Sequence, residues 1–181
     1  GAPPPNIAED QVIGDIYISK NYKEYGHNGC ATMSSTYLPP EVANDWRYVI
    51  MEMQYTNNSG QQINDNFTIA LNHTAAPLHS ENFALLTWMG CYDDVIFHRV
   101  IEGFVIQGGD FEANSGSGGY TAKWYGYCNG QISNSTGVNY NSSSCAINQW
   151  SLPGEHTNGL RHATGSLAAA HAGLNTDGSQ F

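Results

Sequence analysis

The segment FHRVIEGFVIQGGDF, from Phe97 to Phe111, sets one guanidinium, one carboxamide, a glycine pair and an aspartate in an otherwise apolar run. A charge among apolar neighbours is costly unless paired, so Arg99 is either anchored or working. Anchored, it would be a structural ion-pair partner of Glu102 or Asp110. Working, it would be a cation held in place to stabilise a lone pair or charge that develops in a transition state. His98 reads as structural, bonded to backbone near the strand. The seven histidines include no H-x-x-x-H or H-E-x-x-H pair, so neither a metal site nor any other cofactor is expected. The Gly/Ser loop NSGSGGY lacks the Gly-Lys-Ser/Thr and the following helical pattern of a phosphate cradle.

The elements that must position these groups are mostly strands. RYVIMEMQY, from Arg47, is bulky and β-branched with no breaker before NNSGQQ, and NFTIALN is its returning hairpin partner. ENFALLTWMG reads as a short helix, with Ser80 as cap, Glu81 at the positive end of the dipole and Gly90 closing the C-terminus. Phe83, Leu85 and Leu86 form its buried side. DVIFHRVI and GFVIQGGDF return to β character around a turn at Glu102-Gly103. Residues 1–44 form an N-terminal extension or arm that contains one strand-like run, QVIGDIYIS. Residues 45–181 form one domain, interrupted by a polar inserted loop at about 126–150.

A chain of 181 residues supports one core. Six Lys and Arg against sixteen Asp and Glu, a formal charge of -10, argue against nucleic acid or an anionic membrane as partner. No apolar run approaches the roughly 18 residues of a membrane span. The four cysteines have no C-x-x-C spacing, and their even number suggests disulfides. Cys128 with Cys145 would close the inserted loop. By elimination Cys30 pairs with Cys91, stapling the arm to the domain. Acceptor sequons at Asn57, Asn66, Asn72, Asn134 and Asn141 join the cysteines in favouring a secreted, extracellular or lumenal glycoprotein. A carbohydrate-binding barrel would rest only on Trp124 and Trp150.

From about Arg47 to Phe181 the chain resembles the cyclophilins, β-barrel peptidyl-prolyl cis/trans isomerases. The resemblance rests on NFALL, FHRVIEGFVIQGGDF, GSGGY, LPGEHTNGLRHATGSLAAAHAG and NTDGSQF in the family's order and at compatible spacing. The LPGEH…GLRH portion is similar to compact, bacterial-type members. The resemblance implies a mainly β fold: a cyclophilin-like antiparallel β-barrel with a short helix. Arg99 then matches the catalytic arginine and Gln107 the glutamine that orients it. Phe104 matches a wall of the proline pocket, and Val105 stands where many members have methionine. Ala170 and Ala172 match small residues of the substrate-groove edge, Gln180 a second pocket glutamine. His171 replaces the usual asparagine, at a position used largely through its backbone.

The family continues past the counterpart of Phe181 with further strands and pocket residues, so the barrel is expected to be incomplete at its C-terminal end. A longer polypeptide, a second chain made by cleavage, or a neighbouring subunit donating QVIGDIYIS would complete it. The expected function is isomerisation of extended proline-containing peptides. The alternative is a catalytically weak or inactive cyclophilin-like structural or assembly subunit, completed by strands of another chain and able to form filaments.

Overall fold

The computed structural model describes Ile16–Tyr17, Cys30 and residues 46–181. Most of the 1–44 arm therefore lies outside the described residues. Strands β2 (Tyr48–Thr56) and β3 (Gln62–Ala70) form an antiparallel hairpin in register from Tyr48↔Ala70 to Thr56↔Gln62. Period-two alternation sends Val49 and Ile69, directly opposite one another, into a core cluster with Phe83. The turn is organised by Asn57, whose Oδ1 accepts the N–H groups of Ser59 and Gln61, both at 2.9 Å. Strand β1 (Ile16–Tyr17) adds in parallel to the free edge of β2, pairing Ile16 with Tyr48. Ile16 and Tyr17 are the two described residues of the QVIGDIYIS run.

Helix α1 (Pro77–Trp88) opens on proline, whose missing N–H costs nothing at that position. Ser80 does not cap it. Ser80 lies inside the first turn, its N–H bonded to Ala76 O. The orphan donors are taken from far along the chain: Glu155 accepts Leu78 N–H at 3.1 Å on Oε1 and His79 N–H at 2.9 Å on Oε2. The C-terminus closes as a Schellman turn, with Gly90 at φ +75°, Gly90 N–H on Thr87 O and Cys91 N–H on Leu86 O. Phe83, Ala84, Leu85 and Leu86 are all buried, with Trp46, Met89 and Ala122 around the last three. Buried Asn82 is satisfied on both sides, donating to Gly178 O and accepting Ala122 N–H, each at 2.8 Å.

Strands β4 (Arg99–Ile101) and β5 (Val105–Gln107) form a tight hairpin pairing Arg99 with Gln107. The β character expected from Asp94 onward is confined to this stretch, because Ile96 N–H donates to the Asn114 side chain instead of a neighbouring strand. Beyond β5, Gly108 and Phe181 exchange two backbone hydrogen bonds of 2.9 and 3.1 Å. Gly109, at φ +85°, allows the chain to press against 179–180; a Cβ there would fall 2.5 Å from Ser179 O. Strands β6 (Tyr127–Cys128) and β7 (Trp150–Ser151) bracket the inserted loop. Cys128–Cys145 closes it over Trp150, with Trp124 and Tyr140 alongside, and Cys30–Cys91 ties residue 30 to the end of α1. Among the described residues the strands form three separate sheets, beside α1 and a short 3-10 turn at Ile147–Gln149.

Candidate functional site

The β4–β5 register brings Arg99 directly opposite Gln107, and alternation puts Ile101 and Val105 on the same face. Across that face Arg99 Nη1 donates to Gln107 Oε1 at 3.2 Å. Gln107 Nε2 in turn donates to Gln180 Oε1 at 2.9 Å, and Gln180 Nε2 donates to Gly118 O at 2.6 Å and Gly116 O at 3.0 Å. Each carboxamide offers its oxygen to one neighbour and its nitrogen to the next, so the chain of bonds has one direction. The guanidinium is exposed and lies 5.9 Å from the ring centroid of Phe104, which is itself 75% exposed. Phe104 therefore belongs to a surface and not to the core.

Among the described residues Arg99 meets no carboxylate within ion-pair distance, and Asp110 is fully engaged elsewhere. Asp110 Oδ1 accepts the N–H groups of Glu112 and Ala113, and Oδ2 those of Ser115, Gly116 and Gly118, over 2.8 to 3.2 Å. Burial alone would raise this carboxyl, but the amides of Ala113, Ser115, Gly118 and Gly116 outweigh it and hold the group at about 2. His98 also departs from expectation: both ring nitrogens are buried without a hydrogen-bond partner, and a Cβ on Gly116 would fall 2.9 Å from Nε2.

Gln180 also connects the pair to the 170–172 segment, since Ala170 N–H donates to Gln180 O at 2.9 Å. Ala170 is half-buried; His171 and Ala172 are exposed, and Ala172 N–H is held by Thr176 Oγ1. Tyr92 OH, pushed well above its ordinary value by burial, donates to Ser179 O, and Ser179 Oγ donates to Gly109 O. Behind this segment, His79 Nδ1 lies 2.7 Å from Glu155 Oε2 and Nε2 lies 3.4 Å from Asp177 Oδ1. Burial opposes a charge on His79, yet the two carboxylates raise its pKa above the ordinary histidine value. The five-amide cradle of Asp110, the capping role of Glu155 and the His79–Asp177 contact escaped the reading of the sequence. The one available signal was an acid standing just before a run of Gly, Ser and Asn, a composition that bends readily around an anion.

The chemistry on offer is that of a held cation beside an exposed aromatic ring, with no nucleophile or base in hydrogen-bond contact with it. No group of three or more His, Cys, Asp or Glu among the described residues is arranged to hold a metal. No helix among them is long and apolar enough to cross a membrane. Of the five sequon asparagines, Asn66 is exposed on β3, while Asn57, Asn72, Asn134 and Asn141 use Oδ1 to hold local turns.

The family model of cyclophilin type peptidyl-prolyl cis-trans isomerases matches residues 50–181. A Neurospora crassa peptidyl-prolyl cis-trans isomerase-like 1 is 36% identical over 116 residues, covering 64% of this chain and 55% of that protein. Arabidopsis thaliana peptidyl-prolyl cis-trans isomerase CYP18-1 is 39% identical over 106 residues, 58% of this chain and 50% of the relative. A Cryptococcus neoformans peptidyl-prolyl cis-trans isomerase-like 2 is 28% identical across 97% of this chain but 29% of its own length. The chain thus spans about half the length of the first two relatives. The matched span holds the Arg99, Gln107 and Gln180 array, and the chain belongs to the cyclophilin-type peptidyl-prolyl cis-trans isomerase family.

Proposed function

We propose that this chain is a peptidyl-prolyl cis/trans isomerase acting on extended proline-containing peptides, without a cofactor. The observation that carries the reading is the exposed Arg99 guanidinium, held by Gln107 and through it by Gln180, beside the exposed ring of Phe104. Turning an X-Pro bond crosses a barrier of about 18–20 kcal/mol set by amide resonance. As the bond twists, conjugation is lost and the proline nitrogen becomes pyramidal and able to accept a hydrogen bond. A guanidinium already in place stabilises that nitrogen more than the planar ground state, which is differential binding of the transition state. Phe104 and Val105 would contact the proline ring. Ala170, His171 and Ala172 would pair with the extended peptide backbone, with Gln107 and Gln180 meeting its polar groups.

The disulfides Cys30–Cys91 and Cys128–Cys145 fit a secretory or extracellular setting, as do the sequons at Asn57, Asn66, Asn72, Asn134 and Asn141. Residues 45–181 would form the isomerase domain and 1–44 its extension, with the strands belonging to an antiparallel barrel. A second reading, a weakly active or inactive scaffold subunit, is favoured by one observation. Val100 and Ile106, paired on the face of the β4–β5 hairpin away from Arg99, are 66% and 50% exposed, an apolar patch suited to cover by another chain. The test is an isomerase assay on a proline tetrapeptide. The enzyme reading expects catalysis that Arg99→Ala lowers on the order of 10²-fold. Equal, background rates for both proteins would remove it in favour of the scaffold.

A further inference from the structure

Asp110 makes no contact with Arg99, yet it governs the far end of the bond chain that holds Arg99. We propose that Asp110 is a positioning residue for the isomerase site: its carboxylate fixes the Gly116 and Gly118 carbonyls that hold Gln180, and through Gln180 it sets Gln107 and Arg99. This inference rests on the enzymatic reading above.

The argument begins with the loop. Residues 112–118 include two serines and two glycines and no bulky apolar side chain, so no core contact of their own orients them. What orients them is one buried anion. Five backbone N–H groups converge on Asp110, and two of the five belong to Gly116 and Gly118. Those same two residues turn their carbonyls to Gln180 Nε2. With its N–H on the carboxylate and its C=O on Gln180, each of the two glycines is held through both of its flanking peptide units. A second, weaker brace comes from Glu112, whose Oε2 accepts Gly119 N–H at 2.7 Å.

Direction matters in this chain. A carboxamide can turn its oxygen and nitrogen about, and here the sense is set from both ends: the donor-only guanidinium at Arg99 and the two acceptor-only loop carbonyls at Gln180. With Gln180 Nε2 committed to them, Oε1 must face Gln107. Gln107 Nε2 is then used on Gln180, so Oε1 is left to accept from Arg99. Release of the loop carbonyls frees Gln180 to turn its nitrogen towards Gln107, where it competes with Arg99 for the one Gln107 oxygen and loosens the hold on the guanidinium. Asparagine at 110 is the informative change. Its one oxygen can serve Glu112 and Ala113 or the other three amides, but its NH₂ faces N–H donors with none to accept them.

The experiment uses the folded chain with Asp110→Asn, and reads tetrapeptide isomerisation together with the ¹⁵N side-chain amide signals of Gln107 and Gln180. The expected result is that kcat falls roughly 10- to 100-fold with KM changed less than about 2-fold, because misplacement acts on the transition state. Both glutamine signals shift, and Gly116 and Gly118 amides exchange faster. Wild-type kcat and unshifted glutamine signals in the folded variant overturn the proposal. If wild-type protein shows no catalysis, the enzymatic reading fails, and the glutamine signals alone still decide whether Asp110 sets them. Should Asp110→Asn not fold, Gln180→Leu breaks the same chain while leaving the five amides on Asp110. Retention of wild-type kcat in that variant overturns the proposal equally.

Discussion

Two irregular segments of this chain have nearly the same composition and are held by different physics. Residues 112–119 and the inserted 126–150 loop are both rich in Gly, Ser and Asn. The first is gathered around one buried carboxylate; the second is closed by Cys128–Cys145 and carries its own aromatic cluster of Trp150, Trp124 and Tyr140. A disulfide ignores protonation but yields to reductant, whereas a carboxylate nest ignores reductant but yields to acid. The segment that supports the candidate site is the one held without a covalent bond.

The largest expected effect breaks the nest outright. Asp110→Ala leaves five amides without their acceptor and should destabilise the fold by roughly 4 kcal/mol, read as a lower urea midpoint. Cys128→Ser with Cys145→Ser comes next. By loop-closure entropy it should remove about 3 kcal/mol from the inserted lobe, seen as local amide exchange, with little change in isomerisation. If the double serine variant lost activity as severely as Asp110→Asn, the separation between the two segments would not hold.

Acid sharpens the same contrast with a smaller effect. Asp110 is held at about 2, below its value in the unfolded chain, so its contribution is present above about pH 4 and lost as pH falls towards 2. That loss amounts to roughly 2 kcal/mol, should be absent in Asp110→Asn, and should leave the disulfide-closed lobe unmoved. The smallest effect runs the opposite way. His79 has a raised pKa, so its ion pairs with Glu155 and Asp177 stabilise fully below about pH 6.5 and fade as pH rises through its folded value. His79→Gln should therefore cost under about 1 kcal/mol, on the acid side, measured by thermal unfolding across pH 5–8.

What could be read from the sequence was local. The β2–β3 hairpin declared itself by bulky and β-branched runs on either side of the NNSGQQ turn, and the end of α1 by Gly90, because each signal lies within a few residues of its effect. Arg99 and Gln107 were singled out together, and a turn at Glu102-Gly103 suffices to place them opposite one another. Where the reading failed, a distant side chain had taken a local role. Glu155 replaced Ser80 as cap, Asn114 took the N–H of Ile96 from a longer strand, and five amides claimed the Asp110 expected as a partner of Arg99. None of these substitutions has a periodicity to detect.

The cap on α1 has a consequence for synthesis. Leu78 and His79 lie 77 and 76 residues ahead of the Glu155 that satisfies their N–H groups. At about 5–20 residues per second, a ribosome needs roughly 4–15 s to make that interval. For that time the Leu78 and His79 N–H groups have no acceptor but water, so the helix can wind from its Gly90 end while its opening turn waits. Any factor that binds nascent chains would meet this helix half-finished, and completion of the turn would signal that the polypeptide had been made at least as far as residue 155.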